Sequence, residues 1–223
     1  MVISDTKKFI FLHNPKTAGS ALRKELITRY DTRNNFYWGL VRTDAINIRV
    51  DKAHMSMDIF RVLYPQDYEL LEKYFVFSFT RNPFDRYVSS FFEYIKHHRK
   101  DINLAEKTVG DILEMLTEFT NAIDREAIAQ KTMFRHFIPQ HKIIYDGLKC
   151  KSDFTGKIET IEEDFAKIKT LAGLDDSIQL SRRNQKPQRF SGINLSDKII
   201  QKILDIYERD FLYFNFPDKP GCT

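Results

Sequence analysis

The chain has 223 residues, of which 42% are hydrophobic and 30% charged, and its 35 basic and 31 acidic residues give a formal net charge of +4. This composition excludes disordered tails and collagen-like repeats, and the length suits one domain with a sizeable core. A charge this small, without a concentrated basic patch, does not indicate nucleic acid as a partner. We therefore expect a single globular domain over residues 1–223.

The cysteines and the apolar stretches bear on the cellular location. Cys150 and Cys222 lie far apart and lack the spacing of a zinc site or a disulfide scaffold. No apolar run approaches the length of a membrane span, and the first eight residues lack the apolar core of a secretory signal. The sequence thus predicts a soluble, cytoplasmic protein and assigns no oligomeric state.

The first predicted unit is a strand, a tight loop and a helix. Residues 8–13 (KFIFLH) form a short, continuous apolar run, which is typical of a buried parallel strand. The run stops at Asn14 and Pro15. From Leu22 to Tyr30 the apolar residues recur on one helical face, which predicts a helix.

A second strand and helix follow. Residues 74–80 (YFVFSFT) predict another buried strand, after which Asn82 is suited to cap a helix and Pro83 to occupy its first position. The basic residues 96–100 suit the negative end of that helix dipole. The helix should bury one apolar face, made of Tyr87, Val88, Phe91, Phe92 and Ile95.

The rest of the chain gives weaker signals. The stretch from Asp31 to Gln66 is predicted to be irregular and polar. Thr160 and Glu163 suggest a capping box for a helix closing at Gly173. Ser196 is predicted to cap the final helix. Helices are expected at 109–119, 122–134 and 197–211, and a short strand at 156–159. Strands that alternate with helices predict an α/β domain with a central, mainly parallel sheet flanked by helices.

The loop after the first strand, residues 13–20 (HNPKTAGS), has the features of a phosphate site. Small residues between a strand end and a helix start allow backbone N–H groups to converge on an anion, where the helix dipole favours negative charge. Lys16 supplies a charge, and Thr17 and Ser20 supply hydroxyl donors. A tight turn before a capped helix is the structural alternative. The loop is P-loop-like but is not a Walker A motif, since Lys16 precedes its only glycine, Gly19.

Arg81 and Ser89 predict a site for a second anionic group. Arg81 follows the second strand, at the edge where open α/β sheets bind ligands, and Ser89 lies about two turns into the next helix. An arginine at this strand end, where nucleotide kinases need an acidic ligand for Mg²⁺, argues against a metal-dependent phosphoryl transferase. Arg86 is an alternative, either as the anion ligand or as a plain surface residue.

Together these residues resemble the sulfotransferase superfamily, whose donor is 3′-phosphoadenosine 5′-phosphosulfate (PAPS). FIFLHNPKTAGSAL resembles the 5′-phosphosulfate loop, and FSFTRNPFDRYVSSFF resembles the 3′-phosphate strand and helix. The segments AHMSMDIF and DFTGKIETIEEDF are similar to stretches of the heparan sulfate 2-O- and chondroitin 4-O-sulfotransferases, respectively. Golgi members carry a membrane anchor and paired cysteines, which are missing here, so the resemblance implies a bacterial or soluble relative.

The resemblance implies a role for each matching residue. His54 is the expected base, with His13 as its rival, and Lys16 is expected to neutralise charge on the leaving group. Thr17, Ala18, Gly19 and Ser20 would hold the 5′-phosphosulfate, and Arg81 and Ser89 the 3′-phosphate. No metal is expected, and the acceptor would be a hydroxyl of a sugar or another small alcohol.

Further candidates lie outside these motifs. Arg183 and Lys186, in the basic stretch 181–187, lie where related enzymes close a loop over the nucleotide, although an exposed basic loop is equally consistent with the sequence. Residues 36–38 and 139–140 are candidates to line the acceptor site. Two alternative functions stay open at this stage, namely a P-loop nucleotide or nucleoside kinase and a non-catalytic nucleotide-binding module.

Overall fold

The computed structural model describes residues 1–30, 32–33, 37–43, 48–180 and 193–221. The chain divides into two compact units, the first made of Met1–Arg81 and Gln140–Arg183 and the second of Asn82–Pro139 and Asn184–Thr223. The single domain predicted over residues 1–223 stays a prediction.

The strands all belong to the first unit, and the helices are divided between the two. The strands are β1 (Val2–Ser4), β2 (Phe9–Leu12), β3 (Leu40–Thr43), β4 (Ile48–Asp51), β5 (Phe75–Thr80), β6 (Tyr145–Asp146), β7 (Lys149–Cys150) and β8 (Phe154–Lys157). The α-helices are α1 (Gly19–Arg29), α2 (Met57–Leu63), α3 (Pro65–Tyr68), α4 (Pro83–His98), α5 (Val109–Ala122), α6 (Arg125–Gln130), α7 (Gln140–Ile144), α8 (Ile161–Leu171) and α9 (Asp197–Phe214). Short 3-10 turns cover Lys52–His54, Glu69–Glu72, Leu104–Glu106, Thr132–Phe137 and Ile158–Thr160.

The central sheet has the order β1-β2-β5-β8. Strand β2 runs parallel to β5, with Phe9 opposite Phe75 and Leu12 opposite Ser78, and β5 runs parallel to β8. Only the edge strand β1 is antiparallel. The prediction of an α/β fold with a mainly parallel sheet is confirmed. This register brings the carboxyl ends of β2 and β5 side by side, so the residues that follow them share one edge of the sheet.

One face of the sheet packs on α1 and α8. Phe9, Phe11, Phe77 and Phe79 alternate along β2 and β5 and form one apolar cluster with residues of the two helices, namely Leu22, Leu26, Phe165 and Ile168. Every residue of β2 is buried, including those that point away from this cluster. Burial on both faces explains why the strand is a continuous apolar run rather than an alternating one.

The second unit is held together by aromatic side chains. Tyr87 lies edge-on to Phe137, with ring centroids 5.3 Å apart, and Phe119 lies 5.1 Å from Phe137. Phe84 contacts Phe211 of α9 at 5.1 Å. The apolar face predicted for α4 is confirmed, since all five of its residues are buried. Asn82 accepts a hydrogen bond from the Phe84 N–H and Pro83 begins the helix, as predicted.

The structure corrects several local predictions. The stretch 31–66 is not irregular, because it contains the β3–β4 hairpin and α2. The predicted strand at 156–159 begins two residues earlier, and the helix expected at 122–134 is replaced by α6 and a 3-10 turn. Thr160 and Glu163 form no capping box, since the Thr160 side chain makes no capping hydrogen bond, and its hydroxyl donates to Asp164 at 2.8 Å. Ser196 occupies the N-cap position of α9 but makes no capping hydrogen bond with its side chain.

Candidate functional site

The loop between β2 and α1 has an unusual backbone. Lys16 and Ala18 have φ angles of 66° and 58°, in the left-handed region that non-glycine residues rarely adopt. Such residues beside right-handed ones turn successive N–H groups toward one concave side, where an anion binds. This conformation costs roughly 1–3 kcal/mol for each residue held in it, so the surrounding contacts have to maintain it.

Two hydrogen bonds hold this loop in place. The Thr17 hydroxyl donates to the Asn14 carbonyl oxygen at 2.9 Å, and the Asn14 side-chain amide donates to the Phe79 carbonyl oxygen at 3.0 Å. Both side chains are buried. The first bond closes the loop on itself, and the second ties it to the end of β5.

Gly19 is required by packing rather than by its backbone angles. A Cβ atom added at Gly19 would lie 2.0 Å from His13 Cδ2, far inside van der Waals contact. The His13 ring is buried and occupies the space that a side chain would need. Gly19 therefore allows α1 to begin directly against His13.

Arg81 and Lys16, predicted to bind neighbouring anionic groups, lie close together. Arg81 Nη1 donates to the Lys16 carbonyl oxygen at 3.5 Å, a long hydrogen bond. Both residues are half-buried, so each is shielded in part but reachable from solvent. The parallel register of β2 and β5 brings these two cations to one edge of the sheet.

His54, the expected base, lies against His13, its rival. Asp51 caps the 3-10 turn that carries His54 by accepting from the Ala53 N–H at 2.9 Å. His54 Nδ1 lies 3.0 Å from the His13 carbonyl oxygen, and the two ring centroids are 4.5 Å apart. A carbonyl oxygen has no hydrogen to donate, so Nδ1 carries the proton and Nε2 is the basic nitrogen of the neutral ring.

Trp38, an acceptor-site candidate, lies beside these histidines. Its indole stacks on the His13 ring, with centroids 6.4 Å apart, and Trp38 is 45% exposed. The Arg23 guanidinium lies over the indole, 4.2 Å from its centroid, in a cation–π contact. Its neighbour Tyr37 is buried and donates to Asp67, and burial raises the pKa of the Tyr37 hydroxyl. Tyr37 therefore anchors this segment. Phe36, the third candidate here, lies outside the described residues.

Ser89 and Arg86, two further candidates, belong to the second unit. Ser89 lies on α4 in the second unit and is buried. Arg86 is fully buried and donates to the carbonyl oxygens of His136 and Ile138, at 3.1 and 3.0 Å. The prediction of Arg86 as a plain surface residue is therefore wrong. Arg183 and Lys186, with the whole stretch 181–187, lie outside the described residues.

A sequence profile of the sulfotransferase family matches residues 1–217. The chain belongs to the sulfotransferase family. The match covers the segments around Lys16, His54 and Arg81, so the resemblance found in those segments is confirmed at the level of the family.

Among curated proteins this sulfotransferase-family chain is similar to carbohydrate sulfotransferase 11 of the rat, Rattus norvegicus, and of the mouse, Mus musculus. Each is 21% identical over 242 aligned positions, which cover 97% of this chain and 66% of the relative. The chain thus spans just under two thirds of the length of these relatives. No solved structure matches it.

Metal-ligand clusters and membrane-spanning helices can be assessed only in the described part of the chain. There, no cluster of three or more His, Cys, Asp or Glu side chains has the arrangement of a metal site. None of the helices described combines the length and apolarity that crossing a membrane requires. Cys150 is an exposed free thiol, and Cys222 is outside the described residues.

Gln140, a candidate to line the acceptor site, makes a contact that the sequence does not indicate. Its side chain is fully buried and bonded to the backbone of Arg81. The two residues are 59 positions apart, so no local pattern relates them. Only the placement of α7 beside the end of β5 reveals the contact.

Proposed function

We propose that this protein transfers a sulfuryl group from PAPS to a hydroxyl of a carbohydrate or another small alcohol. The contact between Arg81 and the Lys16 carbonyl carries the proposal, because it joins the two cationic motifs at the adjoining ends of β2 and β5. A donor with phosphate groups on both the 3′ and the 5′ oxygen of its ribose needs two such positions. The family match supports sulfuryl transfer over phosphoryl transfer.

In this proposal the residues around β2 bind the reacting end of the donor. The backbone of residues 17–20 and the Ser20 hydroxyl would hold the 5′-phosphosulfate at the start of α1, where the helix dipole favours an anion. The Lys16 ammonium would offset the negative charge that develops on the bridging oxygen. Fixed cations would then supply the stabilisation that nucleotide kinases draw from Mg²⁺, so no metal ion is invoked.

The other end of the donor, its 3′-phosphate, is assigned to Arg81. A guanidinium presents paired donors that match the oxygens of a phosphate. Selection of the 3′-phosphate would favour PAPS over ATP. Ser89, Arg183 and Lys186 remain sequence predictions for this part of the site.

His54 is proposed as the base. The acceptor oxygen would attack sulfur in line with the bridging oxygen, forming an O–S bond as the sulfur–bridging oxygen bond breaks. The hydroxyl proton would pass to His54 Nε2, which the bond from Nδ1 to the His13 carbonyl leaves as the basic nitrogen. The products would be a sulfate ester and adenosine 3′,5′-bisphosphate.

Calorimetry with adenosine 3′,5′-bisphosphate and with ATP, each with and without EDTA, tests the donor assignment. We expect tight binding of the bisphosphate that EDTA does not change and that Lys16→Ala weakens. Preference for ATP with Mg²⁺ would contradict the proposal and favour a kinase.

A transfer assay from labelled PAPS to a panel of unsulfated oligosaccharides and simple alcohols tests the base. His54→Gln should lower kcat by about 10²–10⁴, the usual contribution of a general base, while bisphosphate affinity stays unchanged. His97→Gln is the matched control, since His97 is exposed on α4 and pairs with Glu93. Unchanged turnover in His54→Gln would exclude His54 as the base.

A further inference from the structure

Gln140 makes two hydrogen bonds to the backbone of one residue. Its Oε1 accepts from the Arg81 N–H at 2.9 Å, and its Nε2 donates to the Arg81 carbonyl oxygen at 2.9 Å. A primary amide is the side chain that both donates and accepts through one planar group, so only glutamine or asparagine offers this pairing. The Gln140 side chain is fully buried.

The pairing lies where the sheet ends. The ladder between β5 and β8 finishes at Thr80, opposite Lys157, so Arg81 is the first residue beyond it. Without a partner, the backbone of a residue just past a strand end takes up several conformations. The Gln140 amide supplies the two hydrogen bonds that a neighbouring strand would make to Arg81, and so holds the Arg81 backbone in one conformation.

The orientation of Arg81 decides where its charge lies. Its guanidinium reaches the Lys16 carbonyl at the limit of hydrogen-bond distance, so a small rotation of the Arg81 backbone would break that contact. A long side chain moves farther at its tip than at its Cα atom. Fixing the Arg81 backbone therefore fixes the position of its guanidinium charge.

We propose that Gln140 is a positioning residue for the donor nucleotide, which acts by fixing the backbone of Arg81 so that its guanidinium is preset beside the Lys16 loop. This inference rests on the proposed function, since it assumes that Arg81 binds a phosphate of the donor. Gln140 itself touches no substrate in this arrangement.

A double-mutant cycle tests the proposal, with the dissociation constant for adenosine 3′,5′-bisphosphate as readout. Gln140→Met preserves the shape and removes both hydrogen bonds. It should raise Kd about tenfold, which corresponds to about 1.4 kcal/mol. In an Arg81→Ala background the same change should have no further effect, because the charge that Gln140 positions is gone.

Two controls separate positioning from lost stability. Ile168→Ala removes buried side-chain volume from the core of the same unit and should lower the melting temperature without changing Kd. Gln130→Met changes an exposed glutamine on α6 that pairs with Glu126, and should change neither. If Gln140→Met does not fold, Gln140→Asn keeps an amide that is too short for both bonds, and its Kd should lie between those of wild type and Arg81→Ala.

The outcomes distinguish this inference from the proposed function. An equal rise in Kd in both backgrounds, or no rise at all, would overturn the positioning role and leave the function standing. If wild type does not bind the bisphosphate, or Arg81→Ala leaves Kd unchanged, the proposed donor site fails and the inference fails with it. An effect of Gln140→Met that disappears in Arg81→Ala supports both.

Discussion

The ends of β2 and β5 present cations at the same edge of one sheet, but they are stabilised in different ways. After β2, the loop depends on its own backbone, with left-handed Lys16 and Ala18 and a helix that starts against His13. After β5, Arg81 is held by the side chain of Gln140, 59 positions away. The first arrangement depends mainly on neighbouring residues, with one bond from Asn14 to the Phe79 carbonyl of β5, whereas the second depends on a side chain from a distant part of the chain.

This difference has consequences for mutation. Substitutions within the β2 loop should disturb the site directly, because backbone conformation, packing and charge lie within eight residues. At the end of β5, a substitution of Gln140, which is distant in the chain, should displace the Arg81 backbone. Three predictions test the β2 side of this comparison, in order of decreasing effect.

Lys16→Ala should have the largest effect if the β2 loop supports the chemical step. We expect kcat for sulfuryl transfer to fall by about 10²–10³, the usual loss when a group that stabilises transition-state charge is removed. Steady-state kinetics would measure it, with Lys24→Ala, an exposed lysine on α1, as the control. A rise in KM with kcat unchanged would show that Lys16 contributes only to binding.

Gly19→Ala tests the packing of His13 against α1. Alanine favours a helix over glycine by about 1 kcal/mol, but its Cβ would lie 2.0 Å from the His13 ring, and overpacking of this kind costs about 1–3 kcal/mol. We therefore expect a net loss of stability in urea unfolding.

Gly110→Ala is the matched control for that change. Its Cβ would meet nothing closer than Thr108 Oγ1 at 3.6 Å, so the helical preference should prevail and stability should rise by up to about 1 kcal/mol. Equal effects at the two glycines would contradict the packing argument.

Thr17→Val should have the smallest effect of the three. It removes the donor to the buried Asn14 carbonyl oxygen and should lower the free energy of unfolding by about 1 kcal/mol. Thr170→Val removes a comparable bond at an exposed position on α8 and should change stability by less than about 0.5 kcal/mol. If Thr17→Val is as mild as the control, the hydroxyl does not help to hold the loop.

Much of the fold could be predicted from the sequence because the strongest signals are local. The apolar runs of β2 and β5, the Asn82 cap and the buried face of α4 are all visible in short windows. The contact between Arg81 and Lys16 is known only from the structure, because it depends on β2 and β5 being parallel neighbours.

The errors arose where the local pattern is weak or where a competing contact replaces the expected one. The β3–β4 hairpin lies in a polar stretch without a clear alternating pattern, so it was predicted to be irregular. Thr160 had the spacing of a capping box, yet its hydroxyl bonds Asp164. The sequence offers His54 and His13 as alternative bases, because no local pattern indicates that residues 41 positions apart share a hydrogen bond.

The α/β class, the two cationic motifs and the family resemblance can all be recognised in the sequence, because each depends on residues close together along the chain. Three features required the folded structure, namely the bond between His54 and the His13 carbonyl, the burial of Arg86 and the bonds from Gln140 to Arg81. Hydrogen bonds of this kind form between groups that the packing of separate elements brings within about 3 Å, and their partners leave no periodicity to detect.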